Sequence, residues 1–146
     1  MLHVIQTLKD PLVRLIQDDP VRPEIPLEFR VSDHTEIFVL LDDETREPTA
    51  AVCAAYRTSI PENVFELAAQ PEELPSVAVF YTIWSYKPGA GRKMIIEARK
   101  WIQENRTNIK KFVTLSPPTD MARVFHLRNG AEVFRVNTDT VNYLYS

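Results

Sequence analysis

The segment YKPGAGRKM, residues 86–94, carries the clearest chemistry in the sequence. It holds two of the only three glycines in a chain of 146 residues. It lies between a strand-forming run, VAVFYTIW, and a helix-forming one. A strand that turns through glycines straight into a helix leaves several backbone N–H groups around one point, and the helix dipole adds partial positive charge there. That is an anion site, and phosphate fits it. A side chain at Gly89 or Gly91 would hold the anion away or forbid the backbone angles of the turn. Lys87, Arg92 and Lys93 stand beside it as phosphate partners. Two common nucleotide loops are excluded: GxxxxGK[ST] is absent, and GxGxxG lacks its third glycine and belongs in an N-terminal βαβ unit, not past the midpoint. Metal binding has no comparable pattern, because His3, His34 and His126 are far apart and none has zinc-type or HExxH spacing.

The elements that position this loop can be read from pattern. Val77–Trp84 is β-branched and aromatic almost throughout, as a buried central strand is. From Arg92 to about Asn105, Met94, Ile95, Ala98, Trp101 and Ile102 recur at helical spacing and form one apolar stripe. Upstream, Leu2–Leu8 reads as a short strand. Asp10-Pro11 reads as the cap and first turn of a helix through about Gln17. Three prolines in residues 18–26 demand loop. Glu36–Leu41 and Thr49–Tyr56 read as an antiparallel hairpin. Residues 59–75 are ambiguous, with VFELAAQ a short helix or a strand. Downstream come a strand Lys111–Leu115 stopped by Pro117-Pro118, a helix from a Thr119 cap to about Arg128, and Gly130 as its left-handed stop. Strands Val133–Val136 and Val141–Tyr145 close the chain. Strands and helices in this order predict an α/β (α+β) sheet with helices packed on it, in one domain over residues 1–146.

Composition narrows the setting. The net charge is −3, yet residues 1–86 carry fifteen acidic and six basic side chains while residues 87–111 carry two acidic and eight basic. Such asymmetry steers an anionic ligand to the centre and a cationic one to the first half. Cys53 is the sole cysteine, which excludes an internal disulfide and suits a reducing compartment. No run approaches the ~20 apolar residues of a membrane span, and the N-terminus lacks the features of a signal peptide. A cytoplasmic protein is expected. The basic stretch 92–111 raises nucleic-acid binding, which overall acidity and the lack of any recognition signature oppose.

The segment TIWSYKPGAGRKMI resembles the cofactor loop of the GNAT N-acetyltransferases, a central strand followed by [RQ]xxGx[GA] and a helix. Gly89 and Gly91 take the two small positions. Tyr86 stands where Arg or Gln is usual, Lys87 takes that place if one residue is deleted, and Pro88 removes one N–H donor. A second segment, TDMARVFHLRNGA, is similar to the family's NxxAxxxYxxxGF helix at Ala122 and Gly130, with His126 in place of the tyrosine. The resemblance implies a mixed, mostly antiparallel GNAT-like sheet with helices on both faces. It implies acetyl-CoA as cofactor, with the loop of Tyr86, Lys87, Gly89, Ala90, Gly91 and Arg92 on its diphosphate and the pantetheine arm along Thr82, Ile83 and Trp84. It implies direct acetyl transfer to an amine, small molecule or protein, without an acyl-enzyme. The family's tyrosine protonates the departing thiolate, so His126 as imidazolium inherits that role. Glu36 is the candidate base, and Tyr81 faces the reaction centre. The alternative is a non-catalytic GNAT-fold binding or structural protein, of a kind also found in tailed phages. Neither nucleic acid nor membrane is an expected partner.

Overall fold

A computed structural model describes residues 1–70 and 74–146. Among these, seven strands form one sheet in the order β1-β2-β3-β4-β5-β7-β6. The strands are β1 (Leu2–Ile5), β2 (Thr35–Leu41), β3 (Pro48–Arg57), β4 (Val77–Ser85), β5 (Lys111–Thr114), β6 (Ala131–Val136) and β7 (Val141–Tyr145). Only β4 and β5 run parallel. The helices are α1 (Leu27–Arg30), α2 (Val64–Ala68), α3 (Ala90–Asn105) and α4 (Asp120–Arg128), with a 3-10 helix at Pro11–Asp18.

Strand alternation divides the core in two. Phe38, Leu40, Ala50, Val52, Ala54 and Tyr56 face α3 and α4, and Met94, Ile95, Ala98 and Ile102 of α3 pack down on them. Ile37, Val39, Ala51, Cys53, Ala55 and Tyr81 face the other way, toward the 3-10 helix, α1 and α2. Helices therefore cover both faces of a mostly antiparallel sheet, as the resemblance implied. The centre strands β2 and β3 are buried on both faces, and four alanines in β3 let the helices approach. Each large α3 side chain taken from water contributes roughly 1.5–3 kcal/mol.

The pairing of β4 matters most. On one edge it pairs with β3 along its whole length, Val77↔Arg57 to Ser85↔Ala50. A bulge lies where Cys53 pairs with Thr82 and Ala54 with Phe80, leaving Tyr81 as the extra residue. On the other edge it pairs with β5 only from Val77 to Phe80. There β5 leaves it. Leu115 N–H still reaches the Phe80 carbonyl at 3.1 Å, but Ser116 exchanges hydrogen bonds with Val141, 2.9 Å each way. Pro117 and Pro118 cannot donate to a ladder. The second half of β4, Tyr81–Ser85, thus has an open edge.

Most element boundaries fall within two residues of the sequence reading. The first strand is shorter than expected, ending at Ile5. The expected helix after Asp10 is 3-10, not α. Asp10 caps it as read, accepting from Leu12 N–H at 2.9 Å. Directly after it the chain delivers Asp19 to the core. Within 59–75, Val64–Ala68 is helical, and residues 71–73 of that stretch lie outside the described residues. The short helix α1 was not anticipated. No helix among the described residues is long and apolar enough to cross a membrane.

Candidate functional site

Where β4 and β5 part, a groove of about 350 Å³ opens. Its floor is β4 from Phe80 to Ser85, including the expected Thr82, Ile83 and Trp84. Leu115, Ser116 and Pro117 form one wall. Gly91 of α3 and Ala122, Phe125 and His126 of α4 border it on one side of the sheet, Pro20 and Val21 on the other. The groove is thus a slot through the sheet, with unpaired strand edge along its floor.

The two loop glycines answer to different demands. Gly89 caps α3 with φ 79°, and an added Cβ would meet nothing within 4 Å. Its requirement is the left-handed backbone. Gly91 lies inside the helix, and a Cβ there would sit 2.9 Å from the Phe125 ring. Gly91 is therefore small because α4 packs against α3 at that point, a reason the sequence reading did not include. Ala90 N–H turns back to the Lys87 carbonyl at 3.2 Å. The N–H groups of Gly89 and Gly91 make no hydrogen bond among the described residues and remain at the positive end of the α3 dipole.

The charges around the loop are partly matched. Lys87 lies 3.7 Å from Asp42 on the β2–β3 turn. Lys93 attracts Asp43 of the same turn. Arg92 is exposed and forms no ion pair among the described residues. Tyr86 does not point its polar end at the loop: its hydroxyl accepts from Trp84 Nε1 at 3.0 Å and donates to Asp18 at 2.7 Å, tying the end of β4 to the 3-10 helix.

The three residues expected to do chemistry are not brought together. Glu36 lies outside the groove, two strands away on β2. Tyr56 O–H donates to its carboxylate at 2.6 Å, Arg106 Nε at 2.9 Å and Gln6 at 3.0 Å. This nearly buried ion pair ties the end of α3 to the sheet, so Glu36, expected as a base, is engaged in a structural contact away from the groove. Tyr81 borders the groove, but its ring is buried against Phe29 in the opposite-face core, 5.7 Å between centroids. Among the described residues its hydroxyl has no hydrogen-bond partner, and burial pushes its pKa well above the ordinary phenol value. It is a core tyrosine at the bulge and does not reach out to a reaction centre. His126 does line the groove. It is 4% exposed, its Nδ1 is 2.7 Å from Tyr145 Oη, and its ring stacks on Tyr143. Burial pulls its pKa down to about 4. At neutral pH it is an uncharged imidazole, not the expected imidazolium. Cys53 is fully buried, and its thiol, pushed up to about 12, is no nucleophile.

The sequence reading missed the best-organised polar cluster. Residues 18–30 form a strap over the far side of the slot. Asp19 and Arg30 form a buried ion pair at 2.7 Å, both side chains inaccessible to solvent. The other Asp19 oxygen accepts from Val21 N–H, Arg22 N–H and Thr82 Oγ1. Arg30 donates in addition to the Ile25 and Arg22 carbonyls. The strap is thereby pinned to β4 at Thr82. Arg22 reaches across the slot, Nη2 to the Leu115 carbonyl at 2.9 Å and Nε to the Tyr81 carbonyl at 3.4 Å. Only the alternation of charges with prolines in DDPVRPEIPLEFR hinted at a built loop.

A sheet parted between its parallel strands, with a glycine turn and helix at one end of the opening, is the architecture of the GNAT acetyltransferases. The chain has the GNAT fold. A GNAT acetyltransferase from Elizabethkingia anophelis with acetyl-CoA bound is similar over 100% of this chain and 97% of its own, with TM-score 0.67 and 9% identity. GCN5 from Tetrahymena is similar over 99% and 96%, with TM-score 0.64 and 13% identity. A malonyl-CoA decarboxylase from Agrobacterium vitis reaches TM-score 0.81 at 19% identity, over 100% of this chain. This chain spans only 60% of that protein's length. No protein-family model matches the sequence, and no curated protein matches it.

Proposed function

We propose that the protein binds an acyl-CoA in the slot between β4 and β5 and transfers its acyl group, acetyl in the simplest case, directly to an amine. The observation that carries this reading is the open edge of Tyr81–Ser85 above a groove of about 350 Å³ whose lining reaches Gly91 in the first turn of α3. Alternate backbone groups on that edge pair with the amides of a pantetheine arm, as a further strand would. The free N–H groups of Gly89 and Gly91, with Lys87, Ala90 and Arg92 around them, form the diphosphate end. A β4 N–H near the bulge polarises the thioester carbonyl as it gains charge. The CoA-bound and acyl-CoA-acting proteins of the same fold support the ligand class. His126 in its neutral form serves as a hydrogen-bond donor near the thiolate if Tyr145 O–H holds Nδ1 and leaves the proton on Nε2.

A second reading is a GNAT-fold protein that holds CoA without turning it over. The buried hydroxyl of Tyr81, the uncharged His126 and the distant Glu36 favour it. Calorimetric titration with acetyl-CoA tests the shared part. Gly89→Asp and Gly89→Asn both tolerate a left-handed backbone, but only aspartate puts charge against the diphosphate. We expect Gly89→Asn to bind nearly as the parent and Gly89→Asp to lose about tenfold or more. Equal affinities would remove the turn from the site. Thiol release across a panel of amines then separates the enzyme from the binding protein.

A further inference from the structure

Arg57 closes β3 at the end remote from the slot. It pairs with Val77, the first residue of β4, whereas Ala50 pairs with Ser85 at the slot end. Only 8% of it is exposed. It lines a second cavity, of about 120 Å³, between α1, α2 and the start of β2. No residue lining that cavity also lines the slot. Arg30 and Arg57 are the buried arginines among the described residues. Arg30 has Asp19 at 2.7 Å. Among the described residues the Arg57 guanidinium makes no hydrogen bond and no ion pair, and its Nε is buried without a partner. Glu66 attracts it only from beyond ion-pair distance. His34 lines the same cavity, and its Nδ1 is likewise buried without a hydrogen-bond partner. The backbone fixes this residue: Ser32 Oγ accepts from His34 N–H at 3.2 Å, and the His34 carbonyl accepts from Tyr56 N–H at 2.8 Å. The hydroxyls beside it are already spent, Thr35 O–H on the Phe29 carbonyl and Ser32 O–H on Thr35 Oγ1. Two buried polar groups left unpaired around one cavity are costly, and a bound acceptor offsets that cost.

We propose that this cavity is a binding site for a small oxyanion, a phosphate or a short carboxylate, held by the Arg57 guanidinium and by His34 Nδ1–H. The claim is independent of the acyl-CoA reading. The cavity has room for about four waters at roughly 30 Å³ each, so one phosphate or acetate fits in their place. The guanidinium fork matches the oxygens of either ion. Two carboxylates lie near. Glu28 lines the cavity but is exposed and forms no ion pair with Arg57. Glu66 accepts from Glu62 N–H at 3.2 Å. Water screens Glu28 more than it screens the buried Arg57, so the charge inside the cavity is positive and suits one small anion.

The test uses the whole chain in a chloride buffer at constant ionic strength. Sodium phosphate and sodium acetate are titrated separately, and binding is followed by NMR shifts of the backbone amides and by thermal melting. We expect one of the two ions to bind saturably, to move the amides of Arg57, Ala69 and Gln70, and to raise the melting temperature by about 3 °C or more at saturation. The ion that does so tells a phosphate site from a carboxylate site. Arg57→Met keeps the packing of the side-chain stem and removes the charge. It should weaken binding by about tenfold or more. His34→Ala should weaken it by about threefold or more, and serves alone if Arg57→Met does not fold. Neither variant should change acetyl-CoA affinity, since neither residue lines the slot. The absence of saturable shifts at these residues with either ion means that the cavity holds water only, and overturns the proposal. Shifts confined to the Gly89 turn overturn it too, because the anion is then bound at the end of α3. Binding that is unchanged in Arg57→Met and in His34→Ala has the same consequence.

Discussion

The two sides of the slot are built by opposite means. On the α3–α4 side, everything is local: a glycine turn follows β4, α3 follows the turn, and α4 lies against Gly91 through Phe125. Its charges stay near water and its polar groups are backbone. On the strap side, Asp19 and Arg30 of one loop meet Thr82, more than fifty residues further along the chain, in a dry core. The first side tolerates loss of any one charge, because water replaces it. The second does not, because a buried ion stripped of its partner has nothing to replace it. The contrast separates the two sides: the helix side leaves free backbone N–H groups near water, and the strap side is a rigid mount in which a buried ion pair is pinned to β4 at Thr82.

The largest effect should come from splitting the mount. Arg30→Met leaves the Asp19 carboxylate buried and uncompensated, and should cost about 3–5 kcal/mol in denaturant unfolding. Adding Asp19→Leu should recover much of that loss, since no buried charge then remains. A cost near that of a surface pair, or no recovery, would equate the two sides.

The next effect lies in α4 and depends on pH. His126 is held near 4 when folded, against about 6.5 unfolded. The unfolded chain therefore takes up its proton first. Stability is intact above about pH 6.5, falls as pH drops through the window from about 6.5 to 4, and levels below it. The loss amounts to about 3 kcal/mol. His126→Gln should flatten this part of the stability–pH curve, as followed by urea midpoints at fixed pH. A curve unchanged by the substitution would mean that the imidazole is not the group responsible.

A smaller effect separates the two glycines. Gly91→Ala gains helix propensity of about 1 kcal/mol but overlaps Phe125, which costs about 1–3 kcal/mol. Combined with Phe125→Ala, it should show a coupling of about 1 kcal/mol or more in a double-mutant cycle. Gly89→Ala should show none with Phe125, because its strain is in its own backbone.

The same contrast explains what could be read from the sequence. β4, α3, the Thr119 cap, which accepts from Ala122 N–H at 3.2 Å, and Gly130 at φ 96° are all set by neighbouring residues, so period, propensity and capping disclosed them. Their order implied an α/β sheet with helices packed on it, and the GNAT-like topology came from the resemblance of the segment TIWSYKPGAGRKMI. Glu36 was misplaced for the converse reason. A carboxylate in a strand carries no mark of its partners, and Arg106 and Tyr56 reach it only through the packing of α3 and the pairing of β3. Asp19 and Arg30 look, in sequence, like loop charges. Their burial is fixed by Thr82, 63 residues on from Asp19, and no spacing rule spans that separation. The packing demand on Gly91 could not be read, because Phe125 is invisible until α4 is docked.

The smallest effect tests the anion receptor where it is most compromised. Asp42 faces Lys87 at 3.7 Å, and its Oδ1 accepts from the N–H groups of Glu44 and Thr45. Those turn bonds and Lys87 hold its carboxyl below the usual carboxylate range. Asp42→Asn keeps an oxygen for both turn bonds and removes only the charge. It should leave the melting temperature nearly unchanged. It should free Lys87 for the diphosphate and raise CoA affinity by roughly two- to fivefold at low ionic strength, with the gain fading toward physiological salt as the charges are screened. Dephospho-pantetheine fragments, which lack the diphosphate, should show no gain. If those fragments gain equally, the turn acts on the groove at large and not on the anion, and the distinction between a solvated receptor and a dry mount no longer holds at this end of the slot.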